Sequence, residues 1–427
     1  MYQYLKGSYF SKNIFLIGIF FLPSAPSISF SLLLISSFFS IKNNFNKLGK
    51  DKWNLTFIFS AILLPIICLF QTDKVIPLIN NWDQSLTWIG LSNWLLLIYC
   101  FLSLQFFVNT KEDRKIFAKT LIAGSLPVLI SGFLQYFFKI YGPFQIFDGF
   151  IIWFQRPLQN DTGLTALFNN QNYAGAWFCI IWPLSLAALL EALNKKLDKY
   201  ICLFVLISIT TVLILTTSRS AWAGLILLVP IMTGISSLTY LFPLFLLVLI
   251  LIILAISNLV PYDFQNQIRE ILPNRLWQEF NPDNFDGRES RIEIWKNAIM
   301  FISQKPIIGW GAASFPTLYF FEKYTYAGHS HNIVLELAIS YGIPVTILIF
   351  GSIFLICILS FLKIFINTSY IKTDFFERAW FASFFVLLCS QLVDIQYFDG
   401  RISIVFWILL AGLKEISITN TSLEKAN

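Results

Sequence analysis

Residues 240–260 read YLFPLFLLVLILIILAISNLV, without one charged side chain. A helix needs about 20 mostly apolar residues to cross the hydrocarbon core of a bilayer, so this stretch reads as a membrane span. Apolar stretches of similar character lie at 13–23, 26–41, 54–70, 86–109, 116–138, 173–190, 200–217, 221–237, 344–362, 379–394 and 402–416. Each is expected to be helical, because lipid offers no partners to unpaired backbone groups. The first two meet at Pro23 and Pro26 and read as a broken hairpin. Lys6, Lys12 and Ser24-Ala25-Pro26 imitate a signal peptide, but the apolar run resumes at Ile28, so an uncleaved hairpin is expected. The expected fold class is therefore all-α: a polytopic membrane protein with about twelve transmembrane helices and one large extracytoplasmic loop. Helices one to nine fall in 1–260, the loop in 261–343, and the last three helices with a cytoplasmic tail in 344–427.

Composition supports this reading. The 427 residues are 56% hydrophobic and 13% charged, with a mean hydropathy of +0.68. Soluble domains carry roughly 25% charged residues, so this chain lacks the polar surface to cover a globule. Membrane lipids are the expected surroundings. The net charge of +6 reflects lysines and arginines between spans and gives no reason to expect a nucleic-acid partner. All six cysteines lie inside apolar runs and none forms a CxxC pair, which argues against a disulfide framework or a zinc site.

Lysine and arginine also set the expected orientation. Lys42, Lys47, Lys50 and Lys52, then Lys111, Arg114 and Lys115, then Lys195, Lys196 and Lys199, then Lys363, Lys372 and Arg378 fall in alternate connections. The positive-inside rule puts these in the cytoplasm, together with both termini. Two long connections then face outward, about 140–172 and 261–343. Within the second, a helix is expected from about Ser290, with Ile292, Trp295, Ile299 and Ile302 on one face, ending at Lys305-Pro306.

Three polar groups stand out against this background. The chain has only two histidines, His329 and His331, followed at once by Asn332. Histidine is the side chain best suited to proton transfer near neutral pH. The pair also hints at a metal, but no acidic residue or cysteine lies close in sequence to complete a ligand set, so no metal is expected. Arg219, in Thr217-Ser218-Arg219-Ser220, sits between two apolar runs, where an arginine costs at least ~2.5 kcal/mol to insert. Snorkelling to the interface is its bland reading, and phosphate binding its functional one. Arg288 and Arg291, three apart, flank the start of the loop helix, where the helix dipole favours an anion. They read alternatively as surface arginines paired with Glu289 or Glu293. Taken together, two arginine sites and the histidines suit the capture of a diphosphate and removal of a proton from a hydroxyl.

At these residues the chain resembles the O-antigen ligase/polymerase superfamily. The resemblance rests on Ser290 to Trp295, Lys305 to Gly311 (KPIIGWG), His331-Asn332 with Leu335-Glu336 and Tyr341-Gly342, the Thr217-Ser218-Arg219 turn, and Phe168 to Gly175 (FNNQNYAG). It is strongest over about 165–362. It implies an inverting, metal-independent glycosyl transfer at the outer face of the plasma membrane, with no cofactor. The implied donor is a glycan on undecaprenyl pyrophosphate. The acceptor is lipid A-core or another glycan for a ligase, and the next lipid-linked repeat unit for a polymerase. By motif match His331 takes the base role and Arg219 and Arg291 hold the diphosphate, with Arg288 an alternative to Arg291. His329 and Asn332 are supporting residues. Trp295, Trp310 and Tyr319 could stack on sugars but read more simply as the loop's own core. A transporter, as in relatives once linked to bicarbonate uptake, is the alternative from another class. It should carry ionisable residues near midplane on several helices, whereas here polar residues gather at one face. A non-catalytic scaffold leaves Arg219 without a purpose.

Overall fold

The computed structural model describes residues 2–71, 85–153, 155–158, 162–257, 260–271, 290–366 and 374–418. Every expected apolar stretch is helical over most of its length. The chain opens with a hairpin, α1 (Tyr2–Phe21) and α2 (Pro26–Leu48), followed by α3 (Lys52–Phe70). The expected span 86–109 is broken into α4 (Ser85–Gly90), α5 (Ser92–Leu104) and a 3-10 turn. The next is split at Ser125 into α6 (Lys111–Gly124) and α7 (Leu126–Phe138). Then come α8 (Gln171–Ala192), α9 (Lys196–Leu215), α10 (Arg219–Thr233), α11 (Leu238–Ile256) and α12 (Tyr262–Ile271). Beyond 290 lie α13 (Arg291–Gln304), α14 (Phe315–Lys323), α15 (Ile333–Tyr341), α16 (Ile343–Phe361), α17 (Phe375–Gln391) and α18 (Gly400–Ile418). Among the described residues, six helical segments are both long and apolar enough to cross a membrane: Lys52–Phe70, Ser85–Phe107, Lys111–Phe138, Gln171–Ala192, Lys196–Leu215 and Ile343–Ile366. Shorter apolar helices lie at Tyr9–Phe21, Arg219–Thr233 and Leu246–Ile256.

One correction concerns the all-α expectation. The connection after α7 carries a small antiparallel hairpin, β1 (Phe144–Ile146) paired with β2 (Ile151–Trp153). Asp148-Gly149 lies in its turn with both residues at positive φ, an arrangement that Asp-Gly adopts readily.

The buried centre is formed by α8, α17 and α18. Trp177, Trp380 and Trp407 are almost wholly buried there. Each indole N–H finds an acceptor: Ser125 Oγ at 3.0 Å, Leu409 O at 2.8 Å and the Tyr397 hydroxyl at 2.9 Å. Satisfying that donor is what lets tryptophan occupy an apolar core. By contrast α9 and α11 expose Phe204, Ile207 and Leu247, the composition of a helix whose solvent is lipid.

Side-chain contacts tie the connections into two separate sets. The lysine-rich connections are joined by ion pairs: Lys111 to Asp374, Arg114 to Glu377, Lys119 to Glu191, and Lys414 to Asp51. The other set is joined by hydrogen bonds. Ser27 Oγ donates to Phe150 O, Trp153 Nε1 to Ser24 O, and Arg401 Nη1 to Leu167 O.

The polar loop is a small folded unit with its own core, built from Ile294, Ala298, Phe301, Phe315, Tyr319 and Ile339. Ser290 caps α13 by accepting from the Glu293 N–H at 3.3 Å, and the helix ends at Lys305, as expected. Its buried face differs from the expected one. Ile294, Ala298 and Phe301 point inward, while Ile292 and Ile299 are 64% and 58% exposed. The periodicity identified a helix correctly and placed Ile302 and Trp295 against the loop core, but Ile292 and Ile299 lie on the exposed side. After α13 the chain doubles back along the end of α15. Trp310 N–H donates to Ile339 O at 2.7 Å, Gly311 N–H to Ser340 O at 3.0 Å, and Ile343 N–H to Pro306 O at 2.7 Å. That approach demands glycine at two places. Gly309 and Gly342 both have positive φ, and a Cβ on Gly342 would stand 2.1 Å from Ile307 O. The glycines of KPIIGWG and Tyr341-Gly342 are thus halves of one close backbone contact. Gln71, at the end of α3, pins it by donating from Nε2 to Ser340 O at 2.7 Å.

Candidate active site

His331 lies in the turn before α15 with φ of 55°, a left-handed conformation uncommon outside glycine. Its neighbours hold it there. Its own N–H donates to His329 Nδ1 at 3.1 Å, and the two rings meet edge to face with centroids 4.1 Å apart. The Ser330 N–H donates to Glu336 Oε2 at 2.9 Å, and Ser330 Oγ donates to Asn332 O at 3.0 Å. Asn332 caps α15, its Oδ1 accepting from the N–H groups of Val334 and Leu335. Asn332 Nδ2 donates to Leu392 O at 3.0 Å, which fastens the turn to the end of α17. Every residue of His329-Ser330-His331-Asn332 therefore has a defined bond.

That fastening brings Asp394 against His331. Asp394 Oδ1 lies 3.0 Å from His331 Nδ1. In the neutral imidazole, a carboxylate there favours the tautomer with the ring proton on Nδ1, which leaves Nε2 with its lone pair. Asp394 is itself held: Oδ2 accepts from Asn172 Nδ2 at 3.0 Å, and Oδ1 from the Ile395 N–H at 3.2 Å. Arg291, first residue of α13, places Nη2 3.8 Å from Asp394 Oδ1. Its side chain is 43% exposed, against 22% for His331 and 17% for Asp394. The cation is thus the outermost member of the group.

Electrostatics assigns the second histidine a different state from an exposed one. Burial pushes His329 below its ordinary value and outweighs the upward pull of Asp394. A neutral His329 is the form whose Nδ1 can accept the His331 N–H. Glu336 is fully buried, and its burial raises its carboxyl above the ordinary range despite the bonds from Ser330.

Arg219 opens α10 two residues after Thr217, which like His331 is a non-glycine residue at positive φ (50°). Left-handed residues of this kind cost about 1–3 kcal/mol and gather where geometry is held for a purpose. The first turn of α8 connects this turn to Asp394. Asn172 bonds Asp394, and three residues on, Gly175 packs so closely on α10 that a Cβ would meet Ala221 Cβ at 2.7 Å and Ser218 Cβ at 3.0 Å. Residues three apart share a helix face. The structure thus gathers His331, His329, Asn332 and Arg291 around Asp394, with the Arg219 turn one helical turn of α8 away. Arg288 lies outside the described residues.

The FNNQNYAG stretch acquires a physical account. Asn170 caps α8 by accepting from the Asn172 N–H at 2.7 Å, and Gln171 accepts from the Gly163 N–H. Phe168 lies beneath the Arg401 guanidinium at 3.8 Å. Arg401 is paired with Asp399 through Nη2 at 2.6 Å. Two cavities flank the group and share Phe398 as a wall. One, of about 480 Å³, is lined by Phe30, Asn169, Tyr173, Asp399 and Arg401. The other, of about 240 Å³, is lined by Trp94, His329, Glu336 and Tyr341. Tyr319 is buried in the loop core, and Trp310 spends its indole N–H on Phe301 O at 2.8 Å, so these two serve the loop's packing.

Sequence reasoning missed Asp394. It stands 63 residues from His331 and reads in sequence as the last residue of the apolar stretch 379–394. Helix α17 in fact ends at Gln391, which leaves Asp394 in the following turn. An acidic residue inside an apolar stretch is itself a signal, since such residues are costly there.

Residues 203–350 match the family model described as O-antigen ligase. The matched stretch contains Arg219, Arg291, His329, His331 and Asn332, while Asn172 and Asp394 fall outside it. No curated protein matches the chain.

Proposed function

We propose that this chain, whose residues 203–350 match the O-antigen ligase family model, is an inverting glycosyltransferase that moves a glycan from undecaprenyl pyrophosphate to an acceptor hydroxyl. One observation carries the reading: the 3.0 Å pairing of His331 with Asp394, with Arg291 beside it. Asp394 fixes the tautomer that leaves Nε2 free to take the acceptor's proton, and it stabilises the imidazolium that results. The acceptor oxygen attacks the anomeric carbon from the face opposite the diphosphate. The bond to the diphosphate oxygen breaks, and the charge that develops there falls to Arg291 and Arg219. Arg291 must turn from Asp394 towards the diphosphate, and its exposed position leaves room for this. Two cavities meeting at Phe398 suit a reaction that brings two glycans together.

In this reading the chain crosses the plasma membrane twelve times with both termini in the cytoplasm. The ion-paired, lysine-rich connections form the inner side, and the hydrogen-bonded set, with His331 and Asp394, the outer side. The ligase and polymerase readings share donor, arginines and base, and differ in the acceptor. The test is transfer by purified protein in nanodiscs, given a lipid-pyrophosphate-linked oligosaccharide and either lipid A-core or a second donor molecule as acceptor. Product from wild type, and none from His331→Ala, Arg219→Ala or Arg291→Ala proteins that still fold, supports the reading, and the working acceptor names the subclass. Full activity in the variants refutes the site. No transfer to any acceptor refutes the function.

A further inference from the structure

His329, His331 and Asp394 each offer one ligand atom, and the three atoms lie within 4.8 Å of one another. In sequence the two histidines had no third ligand; the fold supplies it from beyond α17. All three side chains are partly exposed, so an ion from solution can reach them. Two imidazoles and a carboxylate with an open fourth position is the donor set that zinc and its neighbours in the transition series take. Ligand atoms around a tetrahedral zinc stand about 3.3 Å apart for bonds of ~2.0 Å. The 3.0 Å separation of His331 Nδ1 and Asp394 Oδ1 needs a slight widening, and the His329 ring must close in from a separation of up to 4.8 Å, giving up its bond from the His331 N–H as its lone pair turns to the ion.

We propose that these three residues form a zinc-class metal site whose occupation switches off the catalytic base. The switching part rests on the base role given to His331 above. The proton count explains the effect. In the metal-free site the single ring proton of neutral His331 sits on Nδ1, facing Asp394, and Nε2 is free to accept. A metal ion needs the Nδ1 lone pair, so the ring proton moves to Nε2. The ring then presents an N–H to the acceptor hydroxyl and has no lone pair with which to take its proton. Nothing is oxidised, and the number of protons on the ring is unchanged. The bound ion also competes with Arg291 for Asp394. Arg291 is the outermost member of the group and can turn outward.

The probe is Co²⁺, whose visible absorption reports ligand type and geometry, followed by Zn²⁺ displacement, on full-length protein in nanodiscs. The affinity tag must contain no histidine. The chain has only two histidines, so any imidazole-ligated signal comes from this turn. One Co²⁺ per chain with bands of four-coordinate geometry, displaced by Zn²⁺ and lost in His329→Asn and Asp394→Asn at unchanged melting temperature, supports the site. Absence of bands in wild type, or bands that persist in both variants, overturns it. If a variant fails to fold, the metal-induced perturbation of the two histidine ring signals by NMR in wild type decides instead. In parallel, Zn²⁺ should lower glycan transfer by roughly tenfold or more, with recovery on adding a chelator. A protein that binds metal and keeps full transfer overturns the switch. A protein that binds metal but transfers no glycan under any condition counts against the transferase reading and leaves the metal site standing.

Discussion

Replacing Asp394 with asparagine separates orientation of the base from the base itself. With its amide oxygen towards His331 Nδ1 and the Ile395 N–H, the substitution keeps the shape of the side chain and an acceptor for the ring proton, while Asn172 turns its own amide oxygen to the new NH2; what is removed is the charge that faces His331 Nδ1 at 3.0 Å. A hydrogen bond to a charged, partly buried group is worth about 1.5–3 kcal/mol. This strength matters most once His331 has taken the proton, because the imidazolium then faces a neutral amide in place of a carboxylate. At 1.36 kcal/mol per decade, the loss is about ten- to 150-fold in rate. An interaction that acts mainly in the transition state lowers kcat and kcat/KM together and leaves KM near its starting value. The assay is initial-rate glycan transfer in nanodiscs over a range of donor concentrations, with His331→Ala as the inactive reference and a melting curve as the folding control. A variant with kcat within about twofold of wild type, beside an inactive His331→Ala, would refute the reasoning. So would a change confined to KM.

Four further outcomes are expected. Asn172→Ala removes one of the bonds that hold Asp394, and kcat should fall about two- to twelvefold for a loss of about 0.5–1.5 kcal/mol, measured in the same assay. Glu336 has its carboxyl raised by burial, so the stability it contributes is full below its ordinary value of 4.5 and is lost as pH rises through the raised one. Glu336→Gln, which keeps an acceptor for Ser330 and cannot ionise, should therefore melt higher than wild type at alkaline pH and lose that advantage on acidification. Gly163→Ala would place a Cβ 1.7 Å from Thr216 O, so the connection before α8 must shift away from the Arg219 turn. A loss of about 1–3 kcal/mol should appear as a lower melting temperature. Lys414→Met strips the buried cation from Asp51 and Glu415 and should cost about 3 kcal/mol, detectable as a fall in melting temperature.

Much of the helical framework was legible because lipid simplifies the code. Long apolar runs such as 173–190 and 344–362 admit one backbone solution in a bilayer, and α8 and α16 follow them closely. The loop helix was readable from Ser290, its cap, and from Lys305-Pro306, its end. Which face it buries was not, because Ile292 and Ile294 are equally apolar and only the neighbouring α14 and α15 decide between them. The histidines and Arg291 could be singled out by scarcity and by position at a helix start. Asp394 could not be paired with them, since sequence distance says nothing about which turns meet in space. Its position beyond the end of α17 depends on the helix stopping at Gln391, and helix ends are the least readable feature of a chain. The hairpin at 144–153 was hidden for a related reason: six residues of strand carry too little pattern to stand out.

The pairing of Asp394 with His331 also has a meaning in time. At a synthesis rate of about 5–20 residues per second, the 63 residues between them occupy about 3–13 s. During that interval the loop helix, its arginine and both histidines have already been made, but the carboxylate that orients the base does not yet exist. Under the proposed function, a donor could therefore meet a nascent chain that carries the cations and lacks an oriented base. In the proposed reading, catalysis therefore waits for α17 and the turn that follows it, so the last-made member of the site sets when activity can begin.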